Sequence, residues 1–221
     1  MSFGPIIRFT VSDIKIELAP LTKQSVQEFI VDGGLQTHSV HRYLTTTAQV
    51  AEDEDEWFEK TRVDKASITW GIWDISDGRK LIGSSALHGI GGETILQATS
   101  GSLIFRPEYW GKGIASAAHK ARTWYGFNQL GLTRIKSGVL DGNVGSWKAL
   151  ERSGYTLVYI ERNEKFVDGR YVDQLCLECI NPDPIRWTLW WGTRRPTRKA
   201  LEARKRTRNA LSWAEDHVSL A

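Results

Sequence analysis

The run Leu103-Ile104-Phe105-Arg106-Pro107-Glu108-Tyr109-Trp110-Gly111-Lys112-Gly113-Ile114-Ala115-Ser116 takes an apolar strand pattern through a glycine-containing turn and directly into a helical pattern. Successive backbone N–H groups at such a turn point outward, and the helix start adds partial positive charge. Together they make a concave anion site suited to a pyrophosphate. Glycine at 111 and 113 lets the backbone approach closely, with no Cβ in the way. Two nucleotide motifs fail here. A P-loop needs G-x-x-x-x-G-K-[ST], but Arg106 stands at the first glycine and Gly113 at the Ser/Thr. A dinucleotide fingerprint needs Gly or Ala where Ser116 stands, inside a regular parallel βαβ series that this chain lacks.

The two cysteines, Cys176 and Cys179, are spaced C-x-x-C. A redox pair belongs at a strand-to-helix turn and a zinc site needs further ligands. Gln174–Ile180 instead reads as a strand, on which residues three apart face opposite ways. The expectation is two buried, unpaired thiols and no metal. Glu52, Asp53, Glu54, Asp55 and Glu56 precede Trp57 and Phe58. This acid cluster suits a solvated helix start, and it could also draw in a cationic substrate.

The elements that position the turn follow from patterning. Ile14–Leu18 alternates at period two and reads as the first strand, with Pro20 after it. Residues 21–44 are helical but broken by Gly33-Gly34, and Ala51–Lys60 is a helix. Ser67–Trp73 and Lys80–Leu87 flank Asp77-Gly78 as a hairpin. A third antiparallel strand spans about Gln97–Phe105, stopped by Pro107. A helical segment runs from Gly111 to about Leu130, ended by Gly131. Strand 134–140, turn Asp141-Gly142-Asn143, helix 146–152 and strands 155–160 and 171–180 complete the set. The order is that of an α/β domain with a mixed, largely antiparallel sheet flanked by helices.

Three further blocks lie downstream: Asn143-Val144-Gly145-Ser146, Leu150-Glu151-Arg152-Ser153-Gly154-Tyr155 and Asp168-Gly169-Arg170-Tyr171-Val172-Asp173. With Pro107–Ala115 they form an ordered set that resembles the GCN5-related N-acetyltransferase (GNAT) superfamily over roughly residues 12–181. Within it, the resemblance is to the branch that acetylates ribosomal-protein N-termini and related amines. It implies an acyl-CoA acyltransferase fold with acetyl-CoA as co-substrate and no metal. The amides of Gly111, Lys112, Gly113, Ile114 and Ala115, with Ser116 and Trp110 nearby, would hold the CoA pyrophosphate. Leu103, Ile104 and Phe105 would pair with the pantetheine arm and the thioester carbonyl, and Asn143 would bond the arm. Ser146 matches a serine of that branch, and the resemblance implies that it acts on the leaving thiolate.

This chain also departs from the family pattern. Glu108 replaces a Gln or Arg, Leu150 replaces the Tyr that many members use as general acid, and Lys165 stands near the branch's carboxylate base. The base is unassigned among Glu93, His88 and a water chain. The blander readings stay open: Asn143 as turn residue or helix cap, Ser146 as an ordinary first-turn residue, His88 and His119 as satisfied or exposed histidines.

The chain has 221 residues, ten of them Trp, and no stretch near the ~18 apolar residues of a membrane span. Its first residues lack signal-peptide character, so a cytoplasmic protein is expected. Residues 186–221 hold nine Lys/Arg against three acids, net +6, while residues 1–185 are net −3. The organisation expected is a GNAT-like domain over 1–184 and a basic, Trp-rich, helical extension over 185–221. That extension interleaves aromatics with cations and could hold RNA or an acidic membrane. The expectation is that it packs on its own domain or on a second copy as a homodimer, because exposing Trp187, Trp190 and Trp191 would leave a large apolar patch. Two function classes follow. One is an acetyl-CoA-dependent N-acetyltransferase acting on a protein N-terminus or small amine. The other is a non-catalytic CoA-, RNA- or protein-binding module on the same fold.

Overall fold

The computed structural model describes residues 3–31, 34–44, 50–92 and 95–221. The first strand is not at residue 14. A short strand, β1 (Ile7–Val11), precedes β2 (Ile14–Ala19) and pairs antiparallel with it, Phe9 opposite Ile16. Helices α1 (Lys23–Val26), α2 (His38–His41) and α3 (Ala51–Val63) follow, α1 running into a 3-10 turn over Gln27–Phe29. Thr22 and Ser25 form a reciprocal capping box on α1, satisfying two end amides. Gly33 of the expected breaker pair lies outside the described residues.

Strands β3 (Ile68–Asp74), β4 (Lys80–Gly91) and β5 (Gln97–Ile104) form an antiparallel meander. The segment expected to be helical from Gly111 begins its helix, α4 (Ile114–Trp124), three residues later. Gly111 and Gly113 carry positive φ and belong to the turn, and a π-helical turn, Tyr125–Gln129, ends the segment. Then come β6 (Arg134–Leu140), α5 (Val144–Arg152), β7 (Thr156–Val167) and β8 (Arg170–Ile180). The chain closes with α6 (Pro184–Trp191), α7 (Arg198–His217) and a two-residue β9 (Ser219–Leu220).

All nine strands join one sheet in the order β7-β8-β6-β5-β4-β3-β2-β1-β9. The period-two alternation of the strands divides the core between the two faces. Ile72, Ile82 and Ile104 pack with Ile114, Ala117, Ala118 and Ala121 of α4. Their neighbours Trp73, Leu81 and Phe105 pack on the other side with Val26 and Phe29. Trp70 is fully buried, stacked edge-on against Tyr125, and its indole N–H donates to the Pro5 carbonyl at 2.9 Å. A buried indole usually gains such an acceptor for its N–H.

The extension lies on the domain. Ala203, Thr207, Ala210 and Ala214 recur at helical spacing and are buried where α7 crosses α4 and α5. Ala200, Leu211 and Val218 of the same helix and its end are only half-buried. Cations and aromatics of the extension meet partners within the chain: Arg204 stacks over Trp187, Arg134 over Trp190, and Arg206 donates to the Glu151 carbonyl. Ile185 and Leu189 remain exposed. Both cysteines are free; Cys179 is buried, which pushes its thiol up to about 12, whereas Cys176 is half-buried. Cys176 departs from expectation because its side of β8 lies beside Gln174 and Glu161 instead of α7.

Candidate active site

β5 and β6 are the one parallel strand pair among the described residues, and they pair only through Gln97–Arg134, Ala98–Ile135 and Thr99–Lys136. Beyond that the two strands part. The Phe105 N–H donates to the Ile82 carbonyl at 3.1 Å, so odd-numbered residues of β5 turn their backbone groups toward β4. Backbone direction alternates along a strand, which leaves Ser102 and Ile104 facing the gap. The Ile104 carbonyl accepts the Trp110 indole N–H there at 2.9 Å. The three strand residues expected at the carrier arm therefore differ: Ile104 faces the gap, Phe105 is buried against Phe29, and Leu103 is half-buried beside Phe105.

From Ile104 the chain enters a braced turn. The Glu108 carboxylate pairs with Lys80 at 3.2 Å, the Tyr109 hydroxyl donates to Asp74 at 2.9 Å, and Arg106 Nε donates to the Leu81 carbonyl at 2.8 Å. Burial first, then the Asp74 bond, pushes the Tyr109 phenol up to about 12. Glu108, unusual for the family pattern, thus ties the turn to β4. Gly111 has φ 74 and Gly113 φ 82. Among the described residues, chain neighbours aside, no heavy atom lies within 4 Å of a Cβ placed on Gly111, and only Val11 lies within 4 Å of one on Gly113. The turn is concave and open. Gly113 caps α4 with no side-chain bond, so the amides at Ile114, Ala115 and Ser116 have no intrahelical acceptor. The Ile114 side chain is fully buried. Lys112 is exposed over the Tyr109 ring.

Across the gap, Asn143 caps α5, its Oδ1 accepting the Ser146 N–H at 3.2 Å. The cap uses the oxygen and leaves the two Nδ2 donors without a partner among the described residues. Ser146 is half-buried, and its Oγ has no partner among the described residues. An Asn143→Asp variant keeps the cap, since Asp and Asn are equivalent N-caps, but replaces both donors by a carboxylate. We expect affinity for CoA to fall about tenfold or more, the worth of one lost charge-compatible hydrogen bond, while the urea midpoint stays put. Calorimetry alongside urea unfolding measures both, and a fall in the midpoint alone would reduce Asn143 to a cap.

Leu150 is buried in the core cluster, and Tyr155 is buried as well, so neither offers a phenol to the gap. Lys165 Nζ donates to the Leu44 carbonyl. Glu164 is exposed, and Glu93 lies outside the described residues. His119 is buried beside Arg122, and burial holds it well below the usual imidazole range. The sequence reading missed Tyr43, whose hydroxyl donates to the Gly142 carbonyl at 3.1 Å, one residue from Asn143. Its segment is docked by Arg42 and His38 on Asp168, at 2.5 and 2.9 Å. A loop tyrosine carries no pattern that could have flagged it.

A strand edge left open beside a glycine turn and an uncapped helix start is an arrangement that suits an extended, anionic ligand. The chain belongs to the acetyltransferase (GNAT) family, whose domain model matches residues 15–156. It is 34% identical over 114 residues to the probable N-acetyltransferase YjcK of Bacillus subtilis (strain 168), covering 52% of this chain and 62% of that protein. It is 30% identical over 119 residues to the N-acetyltransferase YoaA of the same organism, 54% of this chain and 66% of that one. The chain thus matches just under two thirds of the length of these relatives. The fold is similar to that of a Vibrio cholerae spermidine N-acetyltransferase crystallised with CoA and spermine, with TM-score 0.66, 22% identity and coverage of 75% and 95%. It is also similar to Mycobacterium smegmatis RimJ in complex with CoA-disulfide, with TM-score 0.68, 16% identity and coverage of 99% and 97%. Among the described residues no helix is long and apolar enough to cross a membrane, and no three His, Cys, Asp or Glu cluster as metal ligands.

Proposed function

We propose that this chain transfers an acetyl group from acetyl-CoA directly to a primary amine, on a protein N-terminus or a small molecule. The observation that carries the reading is the backbone edge at Ser102 and Ile104, left unpaired by β6 and leading straight into the Gly111–Gly113 turn. That edge suits the amide-bearing arm, and the turn suits the pyrophosphate. Residues 1–184 form the transferase unit in this reading, with 185–221 as its packed extension. Family membership and the CoA-bound relatives of the same fold support it.

The neutral amine attacks the thioester carbonyl carbon. The oxyanion forms beside the strand amides facing the gap, a preorganised donor set. As the tetrahedral intermediate collapses the C–S bond breaks, and Ser146 hydrogen-bonds or protonates the departing sulfur. Holding both reactants across one gap supplies much of the rate through proximity.

The test begins with calorimetric titration of acetyl-CoA. Saturable binding is expected, lost in Gly111→Val, where a β-branched residue must adopt positive φ. Ser146→Ala should bind acetyl-CoA normally and transfer acetyl about 10- to 100-fold more slowly. Binding with no transfer to any amine, in either protein, would favour the non-catalytic module, which the buried Leu150 in place of a phenol otherwise supports.

A further inference from the structure

We infer that His88 is the general base of this transfer, held in its working tautomer by an Asp64–Ser67–His88 chain on the accessible face of β4 and β5. The inference rests on the transferase reading above. Ser67 Oγ donates to Asp64 Oδ2 at 2.6 Å. A hydroxyl has one proton, so the 3.3 Å contact between Ser67 Oγ and His88 Nδ1 is one in which the imidazole N–H donates. The tautomer follows: Nδ1 carries the proton and Nε2 keeps its lone pair.

Position then decides what Nε2 can reach. His88 is exposed and stands opposite Thr99 of β5, on the same face. Its Nε2 leans along the strand to lie 3.4 Å from where a Gly101 Cβ would stand. The imidazole therefore occupies the space that glycine vacates, one residue from Ser102 and its gap-facing backbone.

The electrostatics agree. On the opposite face of the sheet Arg122 is fully buried, donating to the Gly101 carbonyl at 2.6 Å and to Ser85 Oγ at 3.0 Å, with no carboxylate partner among the described residues. Partial burial and then this fixed positive charge hold the His88 imidazole below its usual range, while Asp64 pulls the other way. Among the described residues these are the charged groups bearing on it. Lowered basicity keeps the ring neutral, and so able to accept a proton, at neutral pH.

The step balances. An ammonium N–H proton passes to Nε2, the freed nitrogen forms the new N–C bond, the C–S bond breaks, and the nitrogen's second proton reaches the departing thiolate through Ser146 or solvent. His88 then returns its proton to water.

The experiment uses the full chain, acetyl-CoA, and thiol release as readout. The acceptors are spermidine, an aminoglycoside and an N-terminally free octapeptide beginning with Ser. His88→Gln should lose about 100-fold or more in kcat/KM at pH 7. Its affinity for acetyl-CoA should be unchanged by calorimetry, and its deficit should shrink toward pH 10 as the amine deprotonates unaided. Ser67→Ala, which frees the ring to choose either tautomer, should lose about tenfold and move the acidic limb of the pH profile. A His88→Gln enzyme with wild-type rate, or with a deficit uniform across pH, overturns the base while leaving the transferase reading intact. A wild-type protein that binds acetyl-CoA and acetylates none of the acceptors overturns both.

Discussion

Gly154→Ala is expected to lower stability by about 2–5 kcal/mol, combining left-handed strain with overpacking. Gly154 sits at φ 91, just past the end of α5, and receives α7 at close range. A Cβ there would stand 2.0 Å from Thr207 Oγ1, 2.7 Å from the Thr207 nitrogen and 2.8 Å from its Cα. The first clash involves a movable hydroxyl, but the other two involve backbone, so the helix itself must retreat. Retreat would loosen Ala203, Ala210 and Ala214 from the domain and expose Cys179 beneath Thr207. Thr207→Ala in the same chain should therefore restore only part of the loss. Urea midpoints of the single and double variants measure this. A Gly154→Ala midpoint equal to wild type would show that α7 is not seated on α5 in solution.

Glu54→Gln should change how stability depends on pH. Glu54 lies in the first turn of α3, 2% exposed, and burial followed by repulsion from Asp53 raises its carboxyl to about 7 from a reference of 4.5. An acid whose folded pKa is raised contributes its full stability below the unfolded value and loses it as pH climbs through the folded one. The wild type should therefore weaken by about 3 kcal/mol relative to the Gln variant between pH 4.5 and 7. Below pH 4.5 the two should be alike, because Gln resembles the protonated acid. Denaturant midpoints at pH 4.5, 6 and 8 read the gap directly; a gap that stays constant with pH would mean Glu54 is solvated.

The positions with local signatures were legible from sequence. Gly111 and Gly113 announce a turn because only glycine takes positive φ without strain, and Asn143 announces a helix start by its chemistry. The order of elements from β2 to β8 follows from period and punctuation. Other features depend on contacts that no local pattern encodes. β9 is a strand only because Ile7 and Arg8 lie alongside it, and β1, with Ile7 and Phe9 buried between Arg8 and Thr10, is legible only once its short alternation is given weight. Arg122 carries no local mark of burial in the sequence. It is buried because Ala117, Ala118 and Ala121 let α4 close on the sheet, bringing the guanidinium to Gly101 and Ser85. The Asp64–Ser67–His88 chain joins the end of one helix, a loop and a strand, and exists only in the folded molecule.

The brief union of β5 and β6 makes the sheet two antiparallel blocks, β9 with β1–β5 and β6–β8, stitched by three residues from each strand. A carrier arm lying on the open edge would serve as a detachable tenth strand, extending the stitch. Loading would then stiffen the molecule along its weakest line, and discharge would resemble unzipping more than the emptying of a cavity. The bonds that grip the carrier would also set the mechanical compliance between the blocks. Tightening that seam with longer β5–β6 pairing would make a more rigid protein with less room for its cargo.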